Sequence, residues 1–91
     1  MRNSRALFEL GHVVTTRTIA DSLEPVKIAS LIRQHITGDF GVLDNEDIDS
    51  NHEAIKHGER VLSAYMVDGE KVYIITEWNR EYTTVLYADE Y

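Results

Sequence analysis

The dipeptide Asp68-Gly69 constrains this chain more than any other feature. It lies between "RVLSAYMV" and "KVYIITEW", two runs rich in Val, Ile and Tyr that suit a pleated, half-buried surface. An Asp-Gly pair in that setting predicts a two-residue hairpin of type I′, in which both loop residues take positive φ. With Asp68 and Gly69 as the loop, Val67 pairs with Glu70 and Arg60 falls opposite Glu77. A third run, "YTTVLYA", follows a less specific turn at "NRE" and completes a three-stranded antiparallel meander.

That register sorts the side chains onto two faces. One carries Leu62, Ala64, Met66, Tyr73, Ile75 and Leu86 and reads as the core face that helices should cover. The other carries Val61, Ser63, Tyr65, Ile74, Thr76, Trp78, Thr83 and Val85. Its hydroxyls among apolar groups suit a half-covered face, open to the N-terminal strand region or to another subunit.

The first half of the chain reads as one strand and two to three short helices. Leu7 to Thr15 alternates as a strand, with Gly11 marking a bulge or a close backbone approach. Thr16 or Thr18 opens a short helix, and Thr18 with Asp21 resembles a capping box. That helix ends before Pro25, which suits the first turn of the next. Ile28, Leu31, Ile32, His35 and Ile36 recur at helical spacing, and Gly38 supplies the cap. The loop "GDFGVLDNED" leads to Asp44, an N-cap for a third helix with Asp47 in its first turn. Ile48, Ala54 and Ile55 mark its buried face, and Gly58 stops it. The expected fold is α+β: an N-terminal strand, two to three short helices, then a three-stranded antiparallel β-meander, as a single domain over residues 1–91.

Composition narrows the function classes. No cysteine is present, which excludes disulfides, thiolate zinc, iron–sulfur ligation and a cysteine nucleophile. Nine basic against 16 acidic residues leave a net charge of −7, so direct nucleic-acid binding is not expected. From Gln34 to Ile55 there is no Lys or Arg, yet the stretch holds Asp39, Asp44, Glu46, Asp47, Asp49 and Glu53. Such a segment is either the solvated start of a helix or a surface for a basic partner. Glu9, Gly11 and His12 interrupt the N-terminal sequence too early for a secretory h-region, and no run approaches a membrane span. The expectation is a cytoplasmic protein with no membrane partner.

Several familiar motifs are near misses. "HEAIKH" resembles the zinc-protease HExxH, but His52 and His57 are five apart and diverge by about 140° around a helix. "DIDSNHE" alternates acids as a calcium loop does, but His52 and Gly58 stand where that loop needs Gly and Glu. "GDFG" has no kinase around it, and Ser4, Ser22, Ser30, Ser50 and Ser63 lack a nucleophile-elbow context. No metal site or cofactor is expected. The remaining catalytic candidates are His35, Glu77, Arg80 and Thr84, which could gather at one end of the sheet. Those residue types supply the general base, general acid and phosphate clamp of a metal-independent ribonuclease.

Three stretches carry a family likeness: "RQHITGDFG" (Arg33 to Gly41), "GERVLSAY" (Gly58 to Tyr65) and "IITEWNREYTTVL" (Ile74 to Leu86), with Glu90 and Tyr91 following. With these the chain resembles a family of short bacterial proteins often carried on plasmids and other mobile elements. The resemblance covers most of the chain. It departs where Phe40 stands for a frequent Trp and Asn79 for Asp. It implies a cytoplasmic accessory protein of mobile DNA and supplies no mechanism. The leading expectation is a non-catalytic protein-binding or regulatory module, its acidic segment facing a basic protein such as a host-defence or DNA-processing factor. A small ribonuclease-like enzyme and a structural homodimer are the rivals.

Overall fold

The computed structural model describes residues 5–91; the first four residues, Arg2 and Ser4 among them, lie outside the described residues. The elements run β1 (His12–Thr15), α1 (Arg17–Ser22), α2 (Pro25–Ile36), α3 (Asn45–His57), β2 (Val61–Val67), β3 (Glu70–Thr76) and β4 (Tyr82–Tyr87), then a 3₁₀ turn at Ala88–Glu90. The class is α+β as expected. The sheet is four-stranded and mixed, in the order β1-β4-β3-β2. The meander β2-β3-β4 is antiparallel, and β1 joins its far side parallel to β4, His12 beside Tyr82 and Thr15 beside Val85.

The hairpin forms in the predicted register. Val67 pairs with Glu70, Asp68 and Gly69 both take positive φ, and Arg60 Nε lies 3.5 Å from Glu77 Oε1. At the second turn Arg80 adopts a φ of 59°, and its N–H donates to the Glu77 carbonyl.

The N-terminal strand is shorter than the alternation from Leu7 suggests. Gly11 has a φ of 65°, which takes the backbone out of the extended region just before β1. A Cβ there would overlap the Arg80 and Glu81 carbonyls, so Gly11 marks a close backbone approach. Upstream, the Leu7 N–H donates to the Ile36 carbonyl at 2.7 Å, which draws the segment to the end of α2 instead of the sheet.

The helices start and stop where local chemistry says. Thr16 caps α1 by accepting the Ile19 N–H, Pro25 is in the first turn of α2, and Asp44 caps α3 by accepting the Asp47 N–H at 2.9 Å. Gly58 ends α3 in the left-handed conformation.

Helices α1 and α2 pack on the sheet face opposite to the one the sequence pointed to. The covered face is the one with hydroxyls: Val61, Ser63, Tyr65, Val67, Val72, Ile74, Thr76, Thr83, Val85 and Tyr87 are all buried. Ile19 of α1, Leu23 just after it and Leu31 of α2 pack on it, with Ile28 and Ile32 at the margin. The opposite face is covered only in part: Ala64, Ile75 and Leu86 are buried, Leu62 and Tyr73 are partly exposed, and Met66 and Tyr82 are about half exposed. Counting apolar side chains over part of each strand misled the assignment. Val67, Val72 and Tyr87 extend the hydroxyl face, and a buried histidine satisfies its polar groups. A second cluster, Phe40, Ala54 and Val61 with Phe8, Leu43, Ile48 and Ile55, seats α3 beside β2.

Candidate functional site

His35 occupies the next-to-last position of α2 and has no exposed surface. Its Nδ1 is 2.6 Å from Ser63 Oγ on β2, and its Nε2 is 2.9 Å from Thr76 Oγ1 on β3. Thr76 Oγ1 is 2.7 Å from Thr83 Oγ1 on β4, and Thr83 donates to the Leu10 carbonyl at 2.9 Å. That last acceptor sets the direction of every proton. A carbonyl only accepts, so the Thr83 hydroxyl hydrogen is spent on Leu10 and Thr83 must accept from Thr76. Thr76 must then accept from His35 Nε2–H, which leaves Nδ1 to accept from Ser63. The imidazole is therefore the neutral Nε2–H tautomer, one link in a chain of four hydrogen bonds across the sheet.

Burial, and then the positive charge of Arg80, lower the His35 pKa to about 4. Phe8 meets the imidazole edge-on at 5.0 Å, and the Arg80 guanidinium lies 5.6 Å from the centre of the same phenyl ring. Among the described residues every buried side-chain nitrogen or oxygen has a hydrogen-bond partner. Tyr65 adds to the polar core: its hydroxyl donates to the Asp39 carbonyl at 2.6 Å, and burial raises its pKa to about 12.

The other catalytic candidates do not join His35 in a cleft. Thr84 sits on the opposite sheet face, since Thr83 is the residue that meets Thr76 on the His35 side. Glu77 pairs with Arg60. Arg80 is engaged by backbone: Nη1 donates to the Glu59 carbonyl at 2.6 Å and the Glu77 carbonyl at 2.9 Å, and Nη2 reaches the Ala54 carbonyl at 3.3 Å. It thereby adds a donor to the Ala54 carbonyl, which already accepts the Gly58 and Glu59 N–H groups, and ties α3 to the β3–β4 turn. Of the four, Arg80 meets Glu77 through the Glu77 backbone carbonyl and lies across the Phe8 ring from His35, while Thr84 joins neither.

All six acidic candidates are exposed, but three are partly committed to structure. Asp39 accepts from Gln34 Nε2 at 2.9 Å and from the Gly41 N–H at 3.3 Å. Asp44 is the N-cap of α3, and Glu53 lies 3.2 Å from His57 Nε2. Glu46, Asp47 and Asp49 accept no side-chain hydrogen bond among the described residues. Helical spacing puts Glu46, Asp49 and Glu53 on one solvent crest, opposite the buried Asn51 and Ala54.

Sequence reasoning missed Asn51, which is 6% exposed. Its Nδ2 donates to the Leu62 carbonyl at 2.7 Å, and its Oδ1 accepts the Leu62 N–H at 3.2 Å. A side-chain amide thus takes the place of a neighbouring strand at the edge of β2. The only sequence trace is an amide next to Ile48 and Ile55 on the apolar side of an otherwise acidic helix. His52 meets Phe40 edge-on at 5.5 Å while His57 pairs with Glu53, so the two histidines of "HEAIKH" serve different neighbours. Among the described residues no group of three His, Asp or Glu side chains is arranged as a metal-ligand set, and no helix is long and apolar enough to cross a membrane. No protein-family model, curated protein or solved structure matches the chain.

Proposed function

We propose that the protein is a small non-catalytic binding module whose acidic segment, Asp39 to Glu53, engages a basic protein surface. The observation that carries this reading is the crest of Glu46, Asp49 and Glu53 on α3, held outward by the burial of Asn51 and Ala54 behind it. Lys56 stands next to it on the helix and no Lys or Arg lies between Gln34 and Ile55, so the segment keeps a net negative field at neutral pH. The ribonuclease-like reading has less support, because of its two candidate bases His35 has no exposed surface and Glu77 pairs with Arg60, while the Arg80 guanidinium donates to backbone carbonyls. The likeness to proteins of mobile elements suggests a host-defence or DNA-processing factor as the partner and the cytoplasm as the place.

The test separates surface charge from fold. Asp44 is a poor choice for reversal, because its loss removes an N-cap at a cost of about 1 kcal/mol. Glu46→Lys, Asp49→Lys and Glu53→Lys, combined, invert the crest and spare the cap. The tagged protein should capture a basic protein from its host's lysate at low salt and release it at moderate salt. The triple variant should capture none while its circular dichroism is unchanged. Equal capture by parent and variant would remove the acidic crest as the binding surface.

A further inference from the structure

Among the described residues the β1 edge of the sheet is uncovered along its length, and its chemistry selects an occupant. In a parallel pair, alternate residues turn both backbone groups to the neighbouring strand. The His12 N–H donates to the Glu81 carbonyl at 2.9 Å and the Thr16 N–H to the Val85 carbonyl at 3.1 Å, so His12, Val14 and Thr16 face β4. The N–H and C=O groups of Val13 and Thr15 therefore point away from the sheet, and among the described residues nothing pairs with them. All four residues of β1 are exposed, Val13 at 42% and Val14 at 45%. Neither Val13, Val14, Thr15 nor Thr16 carries a charge, so the strip offers a basic partner nothing to recognise.

The geometry points to a second copy of this chain as the occupant, joined by antiparallel pairing of β1 with β1 across a two-fold axis at Val14. Four outward groups on each strand then meet four on the other: Val13 pairs with Thr15 of the second copy, and Thr15 with its Val13. A register centred on Val13 would set Thr15 against Gly11, whose positive φ takes it out of the strand. Charge favours this edge over any other contact between two chains of net charge −7. The acidic helix α3 packs beside β2, at the opposite end of the strand order. In a continuous eight-stranded sheet the two β2 strands stand seven spacings apart, roughly 34 Å. That exceeds the ~8 Å screening length at physiological salt several times over. The pairing goes beyond the binding reading and leaves both acidic crests free.

The chain lacks cysteine, so a single introduced thiol reports the register. Residues facing each other on the axis as a non-hydrogen-bonded pair have Cα atoms about 4.5 Å apart, within disulfide reach. Two copies of residue 13 would lie about 8 Å apart, beyond it. Sedimentation equilibrium of the full chain up to about 1 mM should show the mass rising toward twice the monomer's. Val14→Cys should cross-link under mild oxidation and Val13→Cys should not. Thr15→Pro removes an outward N–H without touching the β1–β4 ladder, and should remain monomeric with an unchanged circular dichroism spectrum. The combined reversal of Glu46, Asp49 and Glu53 should leave dimerisation intact, so failure of the acidic-crest reading is separable from failure of this one. A parent chain that stays monomeric throughout, or equal cross-linking at positions 13 and 14, overturns the proposal. Should Thr15→Pro unfold, the cysteine pair decides alone.

Discussion

The two edges of the sheet are finished in opposite ways. On β2 the outward backbone groups of Leu62 and Ala64 are met by something other than a strand, and among the described residues only Met66 at the hairpin end is left without a partner. Asn51 supplies both partners for Leu62, and the loop before α3 supplies both for Ala64: its N–H donates to the Phe40 carbonyl at 3.0 Å, and its carbonyl accepts the Val42 N–H at 2.7 Å. On β1 the corresponding groups of Val13 and Thr15 meet nothing among the described residues. A sheet edge is a template for another chain unless it is covered. This fold covers the edge beside its acidic helix with a helix and a loop, and leaves the uncharged one short and open.

The largest expected effect comes from breaking the seal at its tightest point. Gly41 has a φ of 84° and lies against Ala64, where an added Cβ would overlap the Ala64 carbonyl oxygen. Gly41→Ala adds that overlap to the cost of a left-handed backbone and should destabilise the protein by about 4 kcal/mol. Urea denaturation reads the change directly. A loss below about 1 kcal/mol would mean that the loop adjusts and the β2 edge is not rigidly closed.

Acid should act on the link between the two edges. The hydrogen-bond chain through His35 begins on β2 at Ser63 and ends at Leu10, just ahead of β1. The folded His35 pKa of about 4 lies below the ordinary value of 6.5. Between those two pH values the unfolded chain binds a proton that the folded chain refuses, so stability must rise with pH across that window. The contribution is fully present above pH 6.5 and lost as pH falls to about 4, a change of about 3 kcal/mol for this group. His35→Leu removes the titration, and its stability should show a flatter slope over the same interval. A parent slope equal to the variant's would show that other groups govern acid sensitivity.

Much of the fold was legible because local chemistry dictated it. Asp68-Gly69 set the hairpin register, Pro25 and Gly58 set helix ends, and Asp44 announced α3. The covered face was not legible. Thr76 and Thr83 read as part of a half-covered face, whereas a buried histidine from another element, 41 residues away in sequence from Thr76, supplies a partner there. The parallel pairing of β1 with β4 was equally hidden, because it joins segments 70 residues apart and leaves no turn signal between them. The acidic segment was visible as composition and Asp44 as its cap, but the burial of Asn51 and Ala54 is what sets Glu46, Asp49 and Glu53 on one crest. Arg80 was recognisable as a cation with a task; its use as a backbone clamp on α3 depends on a turn conformation that no motif encodes.

The smallest effects make the sharpest comparison of the edges, since one substitution type can be placed on each. Asn51→Ala leaves the Leu62 N–H and C=O without their amide partner at a buried position, and two such losses should cost about 2 kcal/mol. Thr15→Ala removes an exposed side chain from a strand whose outward groups are already free, and should change monomer stability by no more than about 0.5 kcal/mol. Both are read by urea denaturation at a concentration low enough to keep the chain monomeric. Hydrogen exchange adds the residue-level outcome: the Leu62 amide should lose protection in Asn51→Ala, while the Val13 and Thr15 amides exchange fast in the parent and the variant alike. Protection of the Val13 amide in a dilute monomer would show that β1 is already covered. The open edge would then be closed by the chain itself, and the two edges would differ only in the means of closure.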